Sequence, residues 1–388
     1  MLRNRVIKAA TFEGMSRHGL VSDALIDFHR AFAAGGAGMT TLAYCAVSAD
    51  GRGAPNEIVL ASRALPGLAR LAEAVHAEGA AVSAQIGHAG PVGQRRVTGA
   101  RPLSASSGFS PLGTRYHAMT AADITRVCGD FAAAARLLAD AGFDAIELHM
   151  GHHYLLNAFL SPKFNKRKDD WGGSVANRAR FPRMVARAVR DAVGDRLAVT
   201  AKFEMADGVP GGMWLDESIG LARLLQDDGA VDALQLTGGG SLMNPMFLFR
   251  GDVPREEFAR TLPPVLRPGF RLAGKRFMRD YPFEEAYFLP MARQFRAALD
   301  LPLILLGGIN RLETMKAAIG DGFAFVALGR ALLREPDLAG KLRSGESQES
   351  LCIHCNKCVP TIYRGTHCVL VDPPDRPGLR VLGPRPGR

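Results

Sequence analysis

Short apolar segments alternate with longer segments of helical period along most of the chain, the pattern of a parallel sheet joined by crossover helices. Eight strands are predicted, at residues 6–10, 39–44, 80–86, 145–149, 198–203, 233–237, 303–306 and 323–328. Between them, residues 121–141 place Phe131, Ala134, Ala135 and Leu138 on one helical face, and residues 216–228 read as a helix N-capped by its own Asp216. Eight βα units predict an α/β fold, a (β/α)8 TIM barrel. Two insertions, 87–120 and 238–282, each follow a strand. They therefore belong to the face where such barrels build sites, and segments this long are usually lids or binding loops.

The rhythm stops after residue 343. Residues 1–343 are expected to form the barrel, 344–372 a short Cys-rich C-terminal extension, and 373–388, poor in apolar residues, a disordered tail. Hydrophobic residues make up 47% of the 388 and charged ones 22%, and no apolar run approaches the roughly 18 residues of a membrane span. The start of the chain lacks a secretory pattern, since Val6 and Ile7 lead at once into Lys8, so a soluble, cytoplasmic protein without membrane partners is expected. The net charge of +10, 48 basic against 38 acidic residues, is scattered and has no aromatic-basic stripe. That distribution points to an anionic small molecule and away from nucleic acid.

The chemistry concentrates after the fourth strand, where His149, His152, His153 and Tyr154 fall within six positions. Imidazoles and a phenol can bind a carbonyl, pass a proton or ligate a metal. Gln85 and Lys202 are polar positions inside apolar strands; a ligand offering acceptors, or an internal Glu, would offset their burial. Gly307-Gly308 after the seventh strand and Gly329-Arg330 after the eighth suit a phosphate, because glycines admit backbone N–H groups and Arg grips oxygens in pairs. No Gly-x-Gly-x-x-Gly follows a strand, and the P-loop-like run ending at Gly274-Lys275 has Arg276 where Ser or Thr is required.

These residues together resemble the Old Yellow Enzyme family of FMN-dependent NAD(P)H:flavin oxidoreductases. The resemblance rests on Asn4 to Ala10, Gln85 to Gly90, His149 to Asn157, Asn165 to Ser174 with Asn177-Arg178, and the two glycine loops. It implies FMN beside Ala9, Ala10 and Thr11, its phosphate at Gly307, Gly308, Gly329 and Arg330, with Gln85 and His149 at the flavin and Lys202 near its N1 and O2. It further implies His149 and His152 as donors to a substrate carbonyl and Tyr154 as proton donor. The implied reaction passes hydride from NAD(P)H through flavin N5 to an activated alkene, an α,β-unsaturated carbonyl compound. Relatives with this scaffold also act as amine dehydrogenases, demethylases or dienoyl-CoA reductases.

The chain departs from the family at Phe12, where a redox-tuning Thr or Cys is common, at Tyr44, where a small residue is common, and at His153, which replaces a usual Gly and is expected to crowd the substrate side. It begins almost at its first strand, whereas relatives have a preceding segment; a truncated or later start is the expectation. Cys352, Cys355, Cys358 and Cys368, spaced Cys-x2-Cys-x2-Cys-x9-Cys, resemble the [4Fe-4S] site after the barrel of dienoyl-CoA reductases and trimethylamine dehydrogenases. Zinc stays open as the alternative because His354 and His367 interleave the thiols. Competing readings are a barrel hydrolase with His149 and His152 on a metal, a non-catalytic electron-transfer module, and a radical enzyme, whose usual Cys-x3-Cys-x2-Cys run is missing early in the chain. The alkene, NADH versus NADPH, and homo-oligomerisation are not fixed by sequence.

Overall fold

A computed structural model describes residues 1–111 and 113–378. Eight parallel strands close on themselves: β1 Val6–Lys8, β2 Met39–Ala46, β3 Ala81–Gly87, β4 Ala145–Met150, β5 Ala198–Glu204, β6 Ala233–Thr237, β7 Leu303–Leu306 and β8 Phe325–Leu328. β1 pairs with both β8 and β2, which shuts the barrel. β2 is buried at every position, as expected for a parallel strand covered on both faces. Inside the barrel, Ile7, Met39, Ala145, Ala233, Ile304 and Ala327 pack into a layer drawn from six strands. The larger core lies between sheet and helices and includes Phe28, Phe131, Phe181 and Phe295.

The helix Ala121–Asp140 buries Phe131, Ala134, Ala135 and Leu138, and Thr120 caps it in a reciprocal box with Asp123. The second predicted helix differs at its start. It runs Leu215–Asp228, Trp214 holds the cap position without a side-chain bond, and Asp216 sits in the first turn, where its charge meets the helix dipole.

Insertion 88–120 carries a small three-stranded sheet, and insertion 238–282 carries short helices at Pro245–Leu248, Arg255–Thr261 and Arg267–Phe277. The Cys-rich segment folds back onto the barrel. Thr366 donates its N–H to the Glu13 carbonyl at 2.8 Å and its hydroxyl to the Phe12 carbonyl, and Asn356 donates to the carbonyls of Phe249 and Asp252. Of the expected tail, Pro373–Asp375 form a 3-10 turn and residues 379–388 lie outside the described residues. Among the described residues, no helix is long and apolar enough to cross a membrane.

Candidate active site

One cavity opens where the strands end. Its lining gathers Ala9, Ala10, Thr11, Gln85, His149, His152, Tyr154, Lys202, Gly307, Gly308, Gly329 and Arg330, every position singled out above for cofactor or catalysis. Strand register explains the meeting. His149 stands opposite Lys202 across β4 and β5, and Gln85 stands opposite Glu147 across β3 and β4, so alternate residues of neighbouring strands face the same interior.

Glu147, unmarked in the sequence, is the hub of that interior. Its carboxylate accepts from Gln85 Nε2 at 2.7 Å and Gln235 Nε2 at 2.7 Å, and pairs with Lys202 Nζ at 3.1 Å. An internal Glu partner for Lys202 is therefore present. Lys202 still lines the cavity, so its charge is held in place beside any ligand there.

The turn after β4 is built by backbone strain and carboxylate anchors. His152 and His153 both adopt positive φ, 59° and 67°, a region costly for residues with a Cβ and found at functional sites. Glu204 accepts the His152 N–H at 2.7 Å, and the Asn157 side-chain carbonyl accepts that of His153 at 2.8 Å. His152 Nε2 is 2.8 Å from the Thr237 hydroxyl, which orients its ring. Tyr154 stacks on His149 with ring centres 4.2 Å apart, and Tyr44 lies 5.1 Å from Tyr154.

Burial, then the neighbouring His152 and Lys202, hold His149 well below the ordinary imidazole range; burial, then Lys202 and His153, do the same for His152. Both are neutral near pH 7 and each has one N–H to donate. Burial, reinforced by Glu57, raises the Tyr154 phenol far above its ordinary value, so it keeps its proton. Two neutral donors and a protonated phenol in one cavity suit polarisation of an acceptor and delivery of a proton.

His153 does not crowd the substrate side. Its ring is fully buried, outside the cavity lining, against Phe164 at 4.9 Å and against Gly240, where a Cβ would come within 1.9 Å of the imidazole. It lies where insertion 238–282 meets the turn, since Ser241 N–H donates to the His152 carbonyl at 3.2 Å.

At the opposite lining, Gly308 has φ +71°, and a Cβ there would meet Tyr287 at 2.6 Å; only glycine fits. Arg330 donates to the Arg250 carbonyl at 2.8 Å and also reaches Asn356, so it ties the cavity to the Cys-rich segment. His354, Cys358, Val359, Ile362 and Thr366 complete the lining from that segment. No local signal placed them there.

Residues 1–235 match the NADH:flavin oxidoreductase / NADH oxidase family. The chain belongs to that family. It is accordingly a flavin-dependent NAD(P)H oxidoreductase, and the hydrolase and electron-transfer-module readings give way to it. A 4,4'-dithiodibutanoate disulfide reductase of Rhodococcus erythropolis is 55% identical over 373 residues, covering 96% of this chain and 92% of that protein. An NADH oxidase of Thermoanaerobacter brockii is 31% identical over 363 residues, covering 92% of this chain and 51% of that protein, so the chain spans about half of its length. A solved complex of 2-naphthoyl-CoA reductase with 2-naphthoyl-CoA superposes with a TM-score of 0.82 at 24% identity, covering 97% of this chain and 55% of the other. Morphinone reductase in complex with tetrahydroNAD gives 0.68 at 23%, covering 90% and 89%. These two likenesses carry the fold.

The cavity fits the family's FMN. Thr11 Oγ1 and His149 Nδ1 are buried in its lining without a protein partner among the described residues, which leaves polar atoms for a ligand to satisfy. The glycine-lined end at Gly307, Gly308 and Gly329 admits close approach. The four thiols Cys352, Cys355, Cys358 and Cys368 line a second, smaller recess that shares Cys358 and Arg330 with the first. Among the described residues, no three His, Cys, Asp or Glu side chains are placed around a single ion. The interleaving histidines are engaged elsewhere. His354 stacks on Phe283 at 3.4 Å and lies 2.5 Å from the Asn310 amide, and His367 Nδ1 meets the Gly365 carbonyl at 2.7 Å.

Proposed function

We propose that the chain uses NAD(P)H to reduce a small organic acceptor at this cavity, with Tyr154 as the acid and His149 and His152 as the polarising pair. The observation that carries the reading is the stacking of neutral His149 on protonated Tyr154, inside one cavity with His152, Lys202 and the glycine-lined end. Ala9, Ala10, Thr11, Gln85, His149, Lys202, Gly307, Gly308, Gly329 and Arg330 would hold FMN. When bound, FMN supplies the two-electron chemistry between NAD(P)H and acceptor. Lys202, fixed by Glu147, offers positive charge where reduction builds negative charge.

For an activated alkene, His149 and His152 donate to the carbonyl oxygen as enolate charge grows, and Tyr154 protonates the α-carbon. A second reading, reduction of an organic disulfide, is favoured by the 55% identical Rhodococcus relative, whose dithiodibutanoate substrate ends in carboxylates. Its balance is NAD(P)H + H⁺ + R–S–S–R → NAD(P)⁺ + 2 R–SH; Tyr154 then protonates the departing sulfur. Amine dehydrogenation or demethylation would run the acceptor side as an oxidation. The Cys-rich segment is proposed to hold a [4Fe-4S] cluster rather than zinc, because its four thiols line one recess while the two interleaving histidines that a mixed zinc site would draw on are engaged elsewhere.

The test is anaerobic. Holoenzyme reduced with NADH or NADPH is mixed separately with 2-cyclohexenone and with dithiodibutanoate, and return of the flavin absorption is timed. Reoxidation by either within seconds supports the reading and assigns the acceptor class; no reoxidation by either overturns it. Iron analysis of the same sample, with Cys355→Ser as the comparison, tests the cluster. Absence of iron and sulfide from anaerobically purified protein would refute it.

A further inference from the structure

Insertion 88–120 is chemically one-sided. It contains Arg95, Arg96, Arg101 and Arg115 and not one Asp or Glu. Among the described residues none of these four arginines forms an ion pair; Arg96 Nε donates to the Gln94 side chain at 2.6 Å, which leaves its two outer nitrogens available. Unpaired arginines on one segment are a standing positive field, and the guanidinium fork matches carboxylate geometry.

The segment is docked against the acceptor side of the cavity. The Gly51 carbonyl accepts both from the Tyr44 hydroxyl at 3.0 Å, a cavity-lining group, and from Ala89 N–H at 2.8 Å. Leu155, next to Tyr154, donates its N–H to the His88 carbonyl at 3.0 Å, and Gly90 lies so close to Leu155 that a Cβ would reach within 2.7 Å of its backbone. Arg52 then holds the short helix Arg95–Thr98 by donating to the Val97 carbonyl at 3.1 Å.

The charges act at that rim. Burial pushes the Tyr363 phenol up and Arg96 opposes that rise, so the guanidinium stands within electrostatic reach of Tyr363, whose neighbour Ile362 lines the cavity; part-exposed His117 is lowered by burial and then by Arg115, Arg101 and Arg95. The acids nearby do not cancel them. Asp50 is committed to Arg126 at 2.8 Å and to His88, while Glu57 is buried, bonded to the Gly53 N–H at 2.6 Å and pushed up to about 8 by burial.

We propose that Arg96, backed by Arg95, Arg101 and Arg115, receives a carboxylate arm of the acceptor, so that this enzyme selects acceptors carrying an anion beyond the reducible group. The inference rests on the acceptor site proposed above. An oxyanion could also come from the 2'-phosphate of NADPH, which visits the same cavity in the other half of the cycle; the two sources separate by half-reaction.

The experiment has a binding arm and a rate arm, both on FMN-loaded enzyme. In the first, oxidised enzyme is titrated with the unreducible thioether 4,4'-thiodibutanoate and with its dimethyl ester, read by the shift of the flavin absorption. Tighter binding of the dianion is expected, lost about tenfold in Arg96→Ala and largely kept in Arg96→Lys, with raised salt weakening the acid but not the ester. Equal affinity for acid and ester, or a ratio unmoved by Arg96→Ala, overturns the proposal.

In the second, reduced enzyme is mixed with dithiodibutanoate and its dimethyl ester, and with an enone bearing a carboxylate arm and its methyl ester. A fall of about tenfold in the acid-to-ester ratio in Arg96→Ala supports the rim. If Arg96→Ala instead alters only the NADPH-to-NADH ratio of flavin reduction, the rim serves the nucleotide and the proposal fails. If no acceptor reoxidises the flavin yet the dianion binds through Arg96, the acceptor reading falls and the anion site stands.

Discussion

The turn after β4 and the Cys-rich extension meet the same cavity and are held in contrasting ways. In the turn, polar side chains hold the strained backbone: Glu204 and the Asn157 side chain take the N–H groups of two residues with positive φ, and Thr237 orients His152. In the extension, Asn356, Thr366 and Glu335 fix the chain, the last through Ser350 and the Leu351 N–H, and the four thiols line a recess in which Cys352 accepts from the His354 N–H. The turn is thus preorganised by protein atoms. The extension is a hydrogen-bonded frame around four thiols that line one recess.

That contrast can be broken at its hub. Glu147→Ala removes the partner of Lys202 and of two buried amides, leaving a buried charge unpaired, and is expected to cost about 3–5 kcal/mol in a denaturant melt. A loss below 1 kcal/mol would mean that the interior is wetter than the geometry implies.

Tyr154→Phe should slow reoxidation by an acceptor roughly a hundredfold more than it slows reduction by NAD(P)H, measured by stopped flow. Equal losses in the two half-reactions would remove Tyr154 as the acid.

Acid should loosen the turn. Burial holds His153 down to about 3, against an ordinary 6.5, so the folded chain binds fewer protons than the unfolded chain below pH 6.5. Its contribution to stability is therefore whole above pH 6.5 and is lost as pH falls; the loss by pH 5 amounts to about 2 kcal/mol. His153→Asn should flatten that part of the stability-pH curve, and an unchanged curve would contradict the assignment.

The contact between Gly240 and His153 gives a finer test. Gly240→Ala drives a methyl into a buried ring and should cost about 1–3 kcal/mol, with much of the loss recovered in the double variant with His153→Gly. Additive losses would show that the two residues do not touch.

How far the sequence speaks depends on the range of the interaction. Apolar segments of four to eight residues are local patterns, and all eight strands lie where those patterns place them, as do His149, Lys202 and Gln85 near strand ends. Glu147, Gln235 and Glu204 were not legible as site residues, because their roles come from register between strands rather than from neighbours in the chain. The positive φ of His152 and His153 lacks the glycine that would have announced it. Asp216 read as a cap because a helix-favouring acid there is equally at home in the first turn. Longest in range is the closure of the cavity by Ile362 and Thr366, some 350 residues from the strand they cover.

The central claim, that one FMN sits among Thr11, Gln85, Lys202, Gly308 and Arg330, is tested most directly by titrating flavin-stripped protein with FMN and following absorption and fluorescence. The account predicts saturation at one equivalent and a bound flavin that NADH or NADPH bleaches without air. A protein that is isolated colourless and takes up no FMN would contradict it.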